Sequence, residues 1–189
     1  MSTTGWLRAE RASLAAEQLL DAAGELFARD GVDAVAMADV ANAAGCSRAT
    51  LYRYFDGKDA LRTAFVHREA RRIGAEVAAR VGDLEDPGER LVEAMATGLR
   101  LVRDDVALAP WFAAGDAGGT ARLAQSSEVI EAMVTDFLGG AIEADAATRR
   151  RARWVVRVLV SLLADPPADG DEERALLEEF VAPVVVGTD

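Results

Sequence analysis

The sequence predicts an all-α fold, a three-helix head followed by a C-terminal helical body. Apolar residues recur three and four positions apart along most of the chain, as one buried helix face requires. No stretch shows the apolar–polar alternation of a half-buried strand. Glycine, aspartate and proline gather between the periodic stretches, where the chain must turn.

Residues 1–13 carry no apolar stripe and mix Ser, Thr, Gly and charge around Trp6, so they read as a mobile arm. A first helix covers about Leu14 to Arg29, with Leu19, Ala23, Leu26 and Phe27 at helical spacing and Asp30-Gly31 as its stop. Met37, Val40, Ala41 and Ala44 repeat that spacing over two turns, and Gly45 closes a short second helix. Ser47 is placed to cap a third, in which Leu51 and Phe55 sit one turn apart and face inward. Asp56-Gly57 breaks it, and Lys58 to about Val81 forms a longer fourth helix with Leu61, Ala64, Phe65, Ile73 and Val77 toward the core.

The segment Gly82 to Gly88 marks a joint, beyond which helices are expected near 89–103, 106–114, 120–142, 147–164 and 171–186. In the last two, apolar pairs recur every fourth residue: Trp154/Val155, Val158/Leu159, Leu162/Leu163, then Leu176/Leu177, Phe180/Val181, Val184/Val185. Their stripes are wide. The joint from Asp165 to Gly170 is short enough to make them antiparallel neighbours, and Pro183 should distort or end the last turns.

At 189 residues, 51% of them apolar, the chain can bury a sizeable core without staples. One cysteine, Cys46, and one histidine, His67, exclude an internal disulfide and a multi-cysteine zinc site, so neither metal nor cofactor is expected. No stretch approaches the roughly 20 apolar residues of a membrane span, and the N-terminus lacks the plan of a secretion signal. A cytoplasmic protein with no membrane partner is the expectation.

A net charge of −11 is unusual for a polyanion binder until it is divided along the chain. Residues 1–80 hold 11 basic and 11 acidic residues, and the whole deficit falls in residues 81–189. Between Cys46 and Arg72 the balance turns positive, with Arg48, Arg53, Lys58, Arg62, Arg68, Arg71 and Arg72 against Asp56, Asp59 and Glu69. Any phosphate-binding surface belongs there.

Two short helices joined by a glycine turn, the second polar on its outer face, make a helix-turn-helix whose second helix enters the major groove. Both tyrosines of the chain fall in Tyr52-Arg53-Tyr54-Phe55, where a phenol can donate to a phosphate. Arg48 can reach guanine O6 and N7, Thr50 can offer its hydroxyl or methyl to base edges, and Ala49 can pack on a thymine methyl. Lys58 opens the fourth helix, where its ammonium and nearby N–H groups suit a phosphate oxygen. Arg8 and Arg11 on the arm are free to touch DNA as well.

The run from Leu20 to Gly31 (LDAAGELFARDG) followed by Asp39 to Phe55 (DVANAAGCSRATLYRYF) resembles the DNA-binding domain of the TetR family over roughly residues 14–65. By that resemblance Ser47, Tyr52, Tyr54 and Lys58 match phosphate-contacting positions, and Arg48, Ala49 and Thr50 match base-reading ones. Residues 14–65 would then be the DNA-binding domain with the start of the connecting helix, and 66–189 the ligand-binding and dimerisation body. The resemblance implies a sequence-specific repressor of double-stranded operator DNA. It implies a homodimer built on Trp154, Val155, Val158, Leu159, Leu162, Leu163, Leu176, Leu177, Phe180, Val181 and Val184, and release by a small apolar or amphipathic effector. One departure stands out: family members usually open helix two with Ser or Thr, and this chain has Ala36, so recognition should lean on helix three.

Met95, Leu99, Trp111, Phe112, Met133 and Phe137 come from different helices of the body and either line an effector cavity or fill the core. His67 reads as a ligand or pH reporter or as a plain helix residue, and Cys46 as a redox sensor or a small packed side chain. Asp116 to Thr120 lacks the ending and the preceding strand of a phosphate loop and is read as a helix joint. The Arg149-Arg150-Arg151 run is read as solvated charge. A ligand-independent dimeric regulator is the alternative in function. A hydrolase using Ser126 or Ser127 with His67 is the distant one, without the Gly-x-Ser-x-Gly elbow such enzymes carry.

Overall fold

The computed structural model describes residues 3–112, 117–139 and 145–187, with side chains from Glu10 and from Gly119 onward in the helices that open the first two segments. Every regular element among them is helical. The chain divides into two compact units, Met1–Val66 and His67–Asp189.

In the first unit, α1 (Thr3–Asp30) begins at Thr3, not near Leu14, so the expected arm is helical from that point. Alanine, leucine, glutamate and arginine are good helix formers, and extending a nucleated helix is far easier than starting one. Glu10 to Leu14 are exposed, which is why no stripe announces these turns. From Leu19 onward α1 buries Leu19, Leu20, Ala23, Leu26 and Phe27. α2 (Met37–Ala43), α3 (Arg48–Tyr54) and the start of α4 (Lys58–Val81) pack Val40, Leu51, Phe55, Leu61 and Phe65 into the same core. The rings of Phe27 and Phe65 meet edge to face at 5.2 Å.

The second unit takes the rest of α4 and then α5 (Pro87–Asp104), a single 3-10 turn (Ala109–Phe112), α6 (Ala117–Ser126), α7 (Glu128–Gly139) and α8 (Ala146–Ala164). The last helical segment is α9 (Gly170–Leu176), a π turn (Leu177–Val181) and α10 (Ala182–Val186). Where a helix over 106–114 was expected, the Asp105 carboxylate accepts from the N–H groups of Ala107 (2.9 Å) and Leu108 (3.2 Å) and stops the chain in a turn. The helix expected over 120–142 is two helices. Ser127 Oγ accepts from the Ile130 N–H at 3.2 Å and starts α7 afresh. The end of that expected helix past Gly139, and Asp116, lie outside the described residues, while Ala117 to Thr120, read as part of a joint, form the first turn of α6.

The core of this unit joins Leu91, Val92 and Met95 of α5, Val155 of α8, and Leu177, Val181 and Val185 of the last segment. Charged groups clip the same helices at their margins. Glu93 of α5 accepts from Arg80 of α4 (3.1 Å) and Arg174 of α9 (2.6 Å), which hold its carboxyl below the usual range. Arg103 donates to the buried Glu173 carboxylate and to the Leu162 carbonyl (3.0 Å). The Gly74 backbone of α4 lies so close to α7 that an added Cβ would meet Met133 Cε at 2.6 Å.

Pro183 accounts for the π turn. Proline offers no N–H and its ring crowds the carbonyl four residues back, so an unbroken α-helix through 183 would clash at Glu179. Here the Ala182 N–H reaches instead to the Leu177 carbonyl, five residues back, widening the turn just before the proline.

His67 of α4 shares a 2.8 Å hydrogen bond with Ser127 Oγ, and its pKa is lowered by burial and by Arg71 one turn on. A depressed histidine favours the neutral form in the folded state, so its contribution is full above the ordinary 6.5 and is lost as pH falls through the folded value. His67→Asn should therefore flatten the pH dependence of the urea midpoint between about pH 7 and 5, the window in which histidine titrates. Leu177→Ala should cost about 2–5 kcal/mol in the same measurement, because its side chain is fully buried.

Candidate nucleic-acid interface

The turn between α2 and α3 is fixed by backbone chemistry. Gly45 takes φ +65°, its N–H bonds the Asn42 carbonyl (3.1 Å), and the Cys46 N–H bonds the Ala41 carbonyl (2.9 Å). This is a Schellman ending, which needs a left-handed residue at Gly45. Cys46 follows as a half-buried free thiol. Ser47 then caps α3, its Oγ accepting from the Thr50 N–H at 3.1 Å and sharing a 2.9 Å hydrogen bond with Thr50 Oγ1. One hydroxyl proton is engaged within that pair, and the other is left to donate outward.

α3 is anchored by Leu51 and Phe55, both buried, and this turns Arg48, Ala49, Tyr52 and Arg53 to solvent. Tyr52 is 52% exposed, high for an aromatic ring beside a packed core. Thr50 and Tyr54 are half-buried, and the Arg53 guanidinium lies 5.9 Å from the Tyr54 ring centroid. Of the seven residues singled out in the sequence, six therefore belong to the cap or body of α3, which alternates anchors and exposed groups.

Lys58 is placed differently. Its Nζ donates to the Asp33 carbonyl at 2.7 Å, and Arg62 one turn later donates to the Val32 carbonyl (2.7 Å) and to Asp33 Oδ1 (2.6 Å). The two cations pin the start of α4 to the loop between α1 and α2. Lys58 thus has a structural bond that its motif position did not reveal. Helix two also has more support than Ala36 suggested: Asp39 Oδ2 accepts from the Ala36 N–H at 2.9 Å. That is the returning half of a capping box, and the signal for it was an acid three residues past the cap position.

In the second unit the residues named for an effector cavity are largely core. Met95 and Trp111 are buried, Leu99 has no exposed surface, Met133 lies against Gly74, and Phe112 and Phe137 are half-buried. Met95 and Phe137 share the main cluster. A cleft of about 140 Å³ opens elsewhere, bordered by Arg90 and Leu91 of α5, Phe137 and Leu138 of α7, Arg151 of α8 and Val185 of α10.

The residues named for dimerisation divide by burial. Val155, Leu177 and Val181 are buried in the chain's own core. Val158, Leu159, Leu162, Leu163 and Leu176 are half-buried, while Trp154 (46%), Phe180 (62%) and Val184 (62%) stand exposed. A stripe wider than one helix neighbour can cover serves two partners. Ser127, from the expected hydrolase pair, does meet His67. Its oxygen is nevertheless buried and caps α7, which is a structural use of both groups.

The model for bacterial regulatory proteins of the tetR family matches residues 19–65. An uncharacterized HTH-type transcriptional regulator of Mycobacterium tuberculosis is 50% identical over 186 residues, covering 98% of this chain and 92% of its own length. The chain belongs to the TetR family of transcriptional regulators. This TetR-family chain also superposes on the repressor AlkX from Dietzia sp., implicated in biodegradation of n-alkanes, with TM-score 0.69 and 26% identity over 89% of this chain and 94% of that one. RolR solved with resorcinol shares the fold at TM-score 0.73 and 17% identity, covering 94% and 90%. The TetR-family protein is thus a DNA-binding transcriptional regulator, and its relatives and fold are not those of enzymes.

Lys58→Met, which keeps the aliphatic stem and removes the ammonium, should lower the stability of the head by about 1 kcal/mol. Arg62→Met removes a carbonyl bond and an ion pair together and should cost more. Urea titration followed by the head's helical signal compares the two.

Proposed function

We propose that this TetR-family regulator is a repressor that binds operator DNA as a homodimer and leaves it when a small apolar or amphipathic effector occupies the second unit. The observation that carries the DNA half is the arrangement of α3, where buried Leu51 and Phe55 hold Arg48, Ala49 and Tyr52 outward. Arg48 and Ala49 read base edges, with Thr50 contributing its methyl because its hydroxyl is paired to Ser47. Ser47, Tyr52, Tyr54 and Lys58 hold phosphates.

Dimerisation is supported by Trp154, Phe180 and Val184, large apolar side chains left uncovered on the last two long helical segments. A twofold pairing there would set two recognition helices in successive major grooves. AlkX is implicated in biodegradation of n-alkanes and RolR was solved with resorcinol, which favours a small and largely apolar effector for this chain also. Such a ligand releases DNA only through its different affinity for the DNA-bound and free states.

Retardation of the chain's own upstream DNA at low salt is the direct test, and failure to retard any such fragment would sink the repressor proposal. Arg48→Ala should relax preference at particular base pairs, by about 1–3 kcal/mol at each position it reads. Lys58→Met should weaken binding evenly across sequences and flatten its salt dependence. In sedimentation, Trp154→Glu with Phe180→Glu should yield a folded monomer that binds the operator poorly. An intact dimer would move the interface elsewhere.

A further inference from the structure

The cleft between α5, α7, α8 and α10 has a composition that the core-lining residues of the second unit lack. Its lining is mixed: Leu91, Phe137, Leu138 and Val185 give apolar surface, and Arg90, Arg151 and Thr148 border it with polar groups. The second unit is strongly acidic, and arginines 80, 103, 153 and 174 are each matched to a carboxylate. Arg90 and Arg151, like Arg122, Arg149, Arg150 and Arg157, have no carboxylate within ion-pair distance among the described residues, and of these it is Arg90 and Arg151 that border the cleft. The Arg90 guanidinium lies over the Phe137 ring, 5.3 Å from its centroid, a cation–π contact that holds it at the cleft. Asp145, the cap of α8, is the acid whose charge feels Arg151, and its Oδ1 is already engaged by the Thr148 N–H (2.7 Å) and hydroxyl (2.9 Å).

Size narrows the occupant. A dry cavity of about 150 Å³ lined by apolar side chains accepts a benzene molecule, and this cleft measures about 140 Å³. One aromatic ring or a short alkyl chain fits within it.

We propose that this cleft binds a small organic carboxylate, its anionic group on Arg90 and Arg151 and its apolar part against Phe137, Leu138 and Val185. The effector proposed above as apolar or amphipathic is then specifically an amphipathic anion. This refinement rests on the effector half of the proposed function and does not depend on DNA binding. Guanidinium–carboxylate bonds are the strong kind, and a neutral analogue of the same shape leaves the arginines unanswered. Binding also ties α5 to α8 across the mouth of the cleft.

Calorimetric titration of the full chain with sodium benzoate, without DNA, tests this. Saturable binding at one site per chain is expected, with benzamide weaker by about tenfold or more, since a hydrogen bond to a charged group is worth about 1.5–3 kcal/mol. Arg90→Gln and Arg151→Gln should each weaken benzoate by about tenfold, while Arg149→Gln, on the same helix but outside the cleft, should leave it unchanged. Equal affinity for benzoate and benzamide, an unchanged affinity in both cleft variants, or no saturation at millimolar benzoate would each overturn the site. Should a variant fail to fold by circular dichroism, the benzoate–benzamide comparison on the native chain decides. Retardation of the upstream fragment with and without benzoate is read separately, so loss of the site and loss of DNA binding give different results.

Discussion

Two cation-to-carbonyl bonds, Lys58 to Asp33 and Arg62 to Val32, set the geometry on which the head depends. They fasten the beginning of α4 to the loop that leads into α2, while Phe65 on the same helix meets Phe27 of α1 inside the core. With α1, α2 and α4 held from two sides, α3 has one place to lie, and Leu51 and Phe55 seat it there. A carbonyl acceptor makes the fastening insensitive to the side chain at position 32. It also explains why a lysine at the start of α4 matters to the architecture even before DNA is present.

The acidity of the chain looks different once its partners are known. In the second unit many carboxylates answer arginines on neighbouring helices: Glu93 answers Arg80 and Arg174, Glu173 answers Arg103, and Asp105 answers Arg72. Pairs whose arginine faces solvent add little individually, Glu173 being the buried carboxylate among them, and the apolar cluster of α5, α8 and the last segment supplies most of the stability. The pairs set register instead, because each arginine reaches its acid only when the helices sit at one offset. The first unit is closer to balance, with 7 basic against 9 acidic residues, and Arg48 and Arg53 on α3 have no carboxylate within ion-pair distance among the described residues.

Much of the head was legible because its signals are local. Gly45, Ser47 and the Leu51–Phe55 spacing each announce a backbone or packing event within a few residues. The Asp39 bond to Ala36 was equally local and was missed because the missing hydroxyl at 36 drew attention away from the acid three residues on. Bonds from Lys58 and Arg62 to main-chain carbonyls leave no mark on residue type at the accepting end, so no pattern could expose them. The break at Ser127 was hidden by apolar periodicity that continues across it. In the body, a stripe shows that Val155, Leu177 and Val181 seek cover but not whether the cover is the same chain or another. The same ambiguity left Met95, Leu99 and Trp111 open between lining a cavity and filling the core, and all three are buried.

The widened turn before Pro183 has a bearing on how this segment can change over evolution. In an ideal α-helix every fourth residue drifts by about 40° around the axis, so a stripe at that interval slowly winds off its face. Bonding to the fifth residue slows the rotation, which keeps Leu177, Val181 and Val185 in the core through the segment's end. An insertion or deletion of one residue between Leu177 and Pro183 would swing everything after it by about 100°. Val185 would leave the interior and Val184 would lose its outward aspect together. The length of this segment is therefore under tighter constraint than the identity of most residues within it.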